Sequence, residues 1–175
     1  GAIAFYHAGE PATTKRISNC TFVGNRSRVA ESSAGGAIHN RGLGADDFKV
    51  NNCIFWDNGS TPVYNQPGGS ASISYSNIQS GVLSNFVDGG GNIDSDPLFA
   101  DTLLHLTLAS PCINKGTNTF DHLAEEDFDG NTRILSDSID MGAYEYGAPL
   151  WVSVDENEIA YNNKNMFVAA YPNPF

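Results

Sequence analysis

The sequence predicts an all-β solenoid, a chain wound into stacked passes of short parallel strands, and three observations carry that prediction. The first is composition. Gly, Asn, Ser, Asp and Thr are abundant across the 175 residues, Lys and Glu are few, and helix-forming runs are almost absent, a balance that favours short strands joined by turns. The second is a threefold repeat: ISNCTF (17–22), VNNCIF (50–55) and ISYSNI (73–78) superpose with Cys20, Cys53 and Ser76 at the fourth position, 33 and then 23 residues apart. The third is an echo of GAIA (1–4) in GAIH (36–39), 35 residues on. Internal periods of this size in a turn-rich chain are the mark of stacked repeats.

One pass of 23 residues has room for three short strands and three turns, and the 33-residue interval is then a pass carrying about ten inserted residues. In ISNCTF, strict alternation cannot place Ile17 and Phe22 on one face, because their separation is odd. A bend at Asn19 resolves the conflict, with Ile17 inward before it and Cys20 and Phe22 inward after it. Asn tolerates left-handed backbone and bonds it locally. Val50, Asn52, Cys53 and Phe55 repeat the scheme, and Tyr75, Ser76 and Ile78 vary it. Stacking would make one column of Cys20, Cys53 and Ser76 and another of Phe22, Phe55 and Ile78, a core built from neighbour-to-neighbour contacts.

Over about residues 1–80 this I-x-N-C-x-F…N…GGAI pattern resembles that of the right-handed parallel β-helix proteins. A β-sandwich also offers short strands and turns, but it does not account for copies in register.

After residue 80 the repeats stop. GGGNIDSDPLFAD, LLHLTLASPCINKGT, DFDGNTRI and DSIDMGAYEYG follow in order over 89–147. Their order and spacing resemble the C-terminal end of secreted bacterial β-helix proteins of the choice-of-anchor kind. The resemblance implies a closing cap, which a solenoid needs to cover its open core and strand edges. In LLHLTL (103–108), alternation puts Leu104, Leu106 and Leu108 on one face, predicting a half-buried strand. Pro97 and Pro111 punctuate turns. Met141, Ala143 and Tyr144 are expected to cover apolar core, with Asp140 and Glu145 facing turns or solvent.

Nine basic residues against twenty acidic ones leave a net charge of −11, a surface that repels phosphate backbones and anionic lipid and so disfavours nucleic acid as a partner. No stretch approaches membrane-spanning length, so membrane insertion is not expected. Cys20, Cys53 and Cys112 form no C-x-x-C and have no His at metal-ligand spacing; they read as buried small apolar side chains. The opening GAIAFYHAG reads like the middle of a fold, and the chain is expected to be the C-terminal piece of a longer protein.

Two kinds of chemistry are open. Asp127, Asp129 and Asn131 in DFDGN have the spacing of an oxygen-rich calcium loop, which Asp137 or Asp140 would complete; the same string is also a plain hydrogen-bonded turn. DSDP (94–97) is a weaker version. Parallel β-helices also include enzymes acting on polysaccharides. Glycoside hydrolysis needs two carboxylates across the sugar bond, for which Glu31, Asp46, Asp47 and Asp57 are the candidates. Elimination needs a base of lowered pKa, for which Arg26, Arg28, Arg41 and Lys49 stand. None recurs so as to build a cleft, and solvated faces account for them equally. His7 and His39 follow the two GAI echoes and are expected near each other as edge histidines. Trp56, Tyr64 and Tyr75 either pack in turns and core or stack on sugars.

Residues 1–147 therefore read as β-helix passes and cap, and 148–168 as a connector holding one short apolar run from Trp151 to Val154. Residues 169–175 then open something new. YPNPF, Tyr171, Pro172, Asn173, Pro174 and Phe175, resembles the start of the C-terminal sorting domain of the type IX secretion system of Bacteroidetes. The resemblance implies export across the outer membrane, the type IX machinery as a partner, and a secreted or cell-surface location. The function expected is a structural stalk or an adhesin binding glycans or a surface. The alternative is the terminal part of a polysaccharide lyase or glycoside hydrolase whose catalytic passes lie upstream.

Overall fold

A computed structural model describes residues 2–6, 14–26, 36–41, 47–65, 70–81, 86–119 and 123–147. The described residues form strands and turns and no helix, so none is long and apolar enough to cross a membrane. Ten strands follow in order: β1 Ile3–Tyr6, β2 Thr14–Ser18, β3 Thr21–Val23, β4 Ile38–Arg41, β5 Asp47–Asn51, β6 Ile54–Trp56, β7 Val63–Asn65, β8 Ser70–Ser74, β9 Asn77–Ile78 and β10 Val87–Asp88. They build three sheets ordered β1-β4-β7, β10-β8-β5-β2 and β3-β6-β9. Every pairing between named strands is parallel, unlike the antiparallel pairing of a β-sandwich.

The register follows the repeats. Ile17 pairs with Val50 and Val50 with Ile73; Phe22 pairs with Phe55 and Phe55 with Ile78; Ile3 pairs with Ile38 and Ile38 with Val63. Apart from the half-buried Ile3, these side chains are buried in one cluster with Phe48, Cys53 and Ala71. Phe22 and Phe55 stack with centroids 5.0 Å apart and rings 3° from parallel. Asn40 lies buried in the same interior and donates from Nδ2 to Asn65 Oδ1 at 2.7 Å, an asparagine ladder that satisfies polar groups one pass to the next.

The bend takes its predicted place: Asn19, Asn52 and Tyr75 have φ of 52°, 53° and 47°. A second corner stands after β3 and β6 in the column Gly24, Asp57 and Ser80, with φ of 69°, 51° and 76°. Next to it, Asn58 Oδ1 accepts Asn25 N at 3.0 Å while its Nδ2 donates to Phe22 O at 2.8 Å.

After Ile93, which bridges Asn77 in parallel, the described residues 94–119 and 123–147 run along the outer face of the β3-β6-β9 sheet. Ile54, Leu106, Cys112 and Met141 form a second buried cluster there, packed by Trp56, Ile93, Phe99 and Ile113. Asparagine side chains replace the missing strand rungs. Asn77 Nδ2 donates to Ser95 O at 2.7 Å and its Oδ1 accepts Ser95 N at 3.2 Å. Asn52 does the same with Thr117, at 3.0 and 2.8 Å. Further on, Gly142 N donates to Asn52 O at 2.8 Å and Ala143 N to Thr21 Oγ1 at 3.0 Å, so the run returns from the third pass to the first. Gly142 is required there, because a Cβ would sit 2.7 Å from Thr21 Oγ1 at a φ of 101°.

Two expectations for this run are corrected. LLHLTL is no strand: Asp101 Oδ1 accepts the amides of Leu103 and His105, local bonding that competes with a ladder. Leu104 adopts φ 75°, so Leu106 is buried while Leu108 is 79% exposed. Asp140 and Glu145 do not face solvent but are buried, because both accept backbone amides of the closing loop, as described next.

Candidate functional site

The motifs DFDGNTR and DMGAYE, separate in sequence, meet in one buried knot. Arg133 is buried and donates from Nη1 to Ala143 O at 2.7 Å and from Nη2 to Gly142 O. Asp140 accepts Asn114 N and Tyr146 N, both at 2.7 Å, and Glu145 Oε2 accepts Asp140 N at 3.1 Å. Asp127 Oδ2 accepts Glu145 N at 3.0 Å. Burial pushes Glu145 up to about 7 and raises Asp140 as well. Burial lowers Arg133, against the opposing pull of Glu145, Asp127 and Asp140. A buried guanidinium is tolerated only where carboxylates and carbonyls surround it in this way.

Beside the knot opens a cleft of about 570 Å³, walled by the first pass and by the returning C-terminal run. Ile3, Phe22, Leu103, Leu104, Phe128 and Tyr144 supply apolar walls, and Cys20, Asp127 and Arg133 supply polar ones. At its rim His105 bridges two loops, Nδ1 to Asp101 Oδ2 at 2.6 Å and Nε2 to Asp129 Oδ2 at 2.9 Å. Its ring lies 4.2 Å from that of Tyr144. The bond to Asp101, aided by Asp129, raises the His105 pKa. Carboxylates facing both nitrogens favour the charged form more than water does around a free imidazole. The cleft can bury a small, largely apolar molecule. Its most readily ionised nucleophile is Cys20, whose thiol is lowered to about 7 chiefly by a hydrogen bond from Cys53 and secondarily by Arg133.

The residues singled out in the sequence fall as follows. Asp127, Asp129 and Asn131 share one turn, in which Asp127 Oδ1 accepts Asp129 N and Asn131 N, both at 2.9 Å. Asp127 Oδ2 also accepts Glu145 N at 3.0 Å, and Asp129 Oδ2 lies 2.9 Å from His105 Nε2. Among the described residues no three His, Cys, Asp or Glu side chains converge as a metal shell would. Asp47 opens β5 and lies 3.1 Å from Lys49 Nζ. Asp57 follows β6 and lies 2.8 Å from Arg26 Nη2. The two stand at far ends of consecutive strands on different sheets. Asp46, Glu31, Arg28, His7 and the sorting motif Tyr171–Phe175 lie outside the described residues.

His39 packs edge-on against Tyr64 at 5.0 Å, and burial lowers its pKa. Trp56 packs on the second cluster, and Tyr75 is 38% exposed at its bend. Arg41 is exposed at the end of β4. Sequence reasoning passed over His105, Asp101 and Arg133 as site residues. Only the short D-x-x-x-H interval of Asp101 and His105 could have flagged a pair.

The chain matches no known protein family, no curated protein and no solved structure.

Proposed function

We propose that this chain is the C-terminal end of a right-handed parallel β-helix. It belongs to a secreted or cell-surface protein exported by the type IX secretion system of Bacteroidetes. Its role is that of a stiff stalk or an adhesin presenting its long sides to glycans or a surface. The observation that carries this reading is the register. Three sheets stack pass on pass with like residues in column. Such a stack is extended and repetitive, which is what a stalk or a multivalent surface requires. The YPNPF motif adds the export step, with the type IX machinery as partner.

A non-catalytic role fits the described carboxylates better than a hydrolase or lyase does. Asp47 and Asp57 each lie beside a basic side chain, at opposite ends of the β5–β6 corner. The test uses the full-length protein on a glycan array, with reducing-sugar and unsaturated-product assays on every glycan it retains. Retention without product is expected, and scattering should report a rod. Release of reducing ends or unsaturated sugars would overturn the non-catalytic reading.

A further inference from the structure

The pairing of β2 with β5 and of β3 with β6 sets Cys20 opposite Cys53 on neighbouring passes. Backbone bonds fix the two on either side: Asn19 N donates to Asn51 O at 3.2 Å, and Ile54 N to Cys20 O at 2.9 Å. Paired strands run about 4.8 Å apart, within the roughly 4.4–6.8 Å that disulfides span between Cα atoms. Each thiol donates to a carbonyl of the same bend, Cys20 Sγ to Ser18 O at 3.0 Å and Cys53 Sγ to Asn51 O at 3.1 Å. They differ in access: Cys53 is wholly buried, whereas Cys20 is half-buried and lines the cleft. The column ends at Ser76, whose Oγ accepts Cys53 N at 3.1 Å. Cys112 is apart in the second cluster, accepting from Asn77 Nδ2. The pair is therefore isolated from the third thiol.

We propose that Cys20 and Cys53 form an oxidisable dithiol that a small organic disulfide, entering by the cleft, closes into a bond between the first two passes. Cys20 loses its proton, and its thiolate attacks one sulfur of R–S–S–R. That S–S bond breaks, and the departing RS⁻ takes up the proton. Cys53 then gives up its proton and attacks Cys20 Sγ, expelling the second RS⁻, which takes up that proton. The protein loses two protons and two electrons, and the small disulfide gains both as two RSH.

The order of attack follows from the surroundings. The neighbouring Cys53 thiol and the charge of Arg133 favour the Cys20 thiolate, while burial pushes the Cys53 thiol up and keeps it neutral until the mixed disulfide forms beside it. The pair's chemistry does not depend on the proposed role of the whole protein. Its consequence is mechanical: a covalent clasp across the bend that seats the C-terminal run, closing a loop of the chain and restricting the unfolded state.

The folded chain, with native tryptophan fluorescence as the check on folding, is incubated with bis(2-hydroxyethyl) disulfide. It is then denatured and its thiols are titrated. The count is expected to fall from three to one, with peptide mapping joining Cys20 to Cys53 and dithiothreitol restoring all three. Cys53→Ala should halt at a stable mixed disulfide on Cys20, and Cys20→Ser should leave both remaining thiols free. A count that stays at three, a link that includes Cys112, or a mixed disulfide that persists in the unsubstituted chain would each overturn the proposal. The wild-type arm decides it even where a variant fails to fold.

Discussion

Asn52 and Asn19 occupy the same corner one pass apart, with φ of 53° and 52°, and their comparison isolates what an asparagine clamp contributes. Asn52 is fully buried and holds Thr117 by two hydrogen bonds, Oδ1 to the amide at 2.8 Å and Nδ2 to the carbonyl at 3.0 Å. Asn19 has the same backbone, but its side-chain atoms find no hydrogen-bond partner among the described residues. Replacing Asn52 by Ala removes two bonds worth about 1 kcal/mol each and leaves peptide groups of Thr117 to be satisfied at about 1–3 kcal/mol. Holding Ala in the left-handed region adds roughly 1–2 kcal/mol. The total is roughly 4 kcal/mol or more for Asn52→Ala, against only the backbone share, roughly 1–2 kcal/mol, for Asn19→Ala. Urea unfolding followed by tryptophan fluorescence measures both, in a Trp151→Phe background so that Trp56, packed on the second cluster, is the reporter. The Asn52 variant should lose several-fold more stability than the Asn19 variant. Equal losses would refute the reasoning, since the corner's backbone alone would then set the cost.

Four further expectations concern core, protons and cations. Phe55→Ala, which empties a fully buried place stacked on Phe22, should cost about 3–5 kcal/mol in urea unfolding, and Phe55→Leu should recover much of it; a loss below about 1 kcal/mol would mean that the column does not carry the core. Glu145, raised from 4.5 to about 7 by burial, binds more proton folded than unfolded, so stability falls as pH rises from about 4.5 to 7; Glu145→Gln should flatten that slope and gain up to roughly 3 kcal/mol at pH 8, and an unchanged slope in the variant would contradict it. His105, also raised, contributes stability that is full below its unfolded value of about 6.5 and is lost as pH passes the folded value, so His105→Asn should remove that fall. Because Asp127 and Asp129 are engaged by backbone amides and His105, neither EDTA nor added Ca²⁺ should move the melting temperature; a rise of several degrees with Ca²⁺ would show that a cation displaces those bonds.

How much of this was legible in the sequence depended on how each part holds itself together. The columns were readable because each pass must present like residues to the same neighbours, so Ile17, Val50 and Ile73, or Phe22, Phe55 and Ile78, recur in register. The Asn19–Asn52–Tyr75 corner was readable from a parity conflict in the apolar spacing. The Gly24–Asp57–Ser80 corner was not, because three different residues adopt one left-handed conformation there. The C-terminal run had no periodicity to read. Its Leu104 and Leu108 mimic strand alternation, but Asp101 binds the intervening amides and ends the alternation. Asp140 and Glu145 look solvent-facing by charge; they are buried because they accept the amides of Asn114, Tyr146 and Asp140 from separate loops. That relation spans separate motifs, and no local pattern encodes it.

The abundance of asparagine, first read as a sign of turns, has a more specific cause. A carboxamide carries one donor group and one acceptor in the same relation as a peptide unit, so it can act as a rung where no second strand is available. Asn52 and Asn77 do this outward, binding Thr117 and Ser95 through both atoms, while Asn40–Asn65 and Asn25–Asn58 do it along the stack. The described residues between 89 and 147 contain only isolated bridges, yet they return along a sheet face held by asparagine side chains and backbone amides. Strand content therefore understates how firmly that run is held. Its attachment rests on a few buried carboxamides, and losing any one of them strands the peptide groups it served rather than merely deleting a contact.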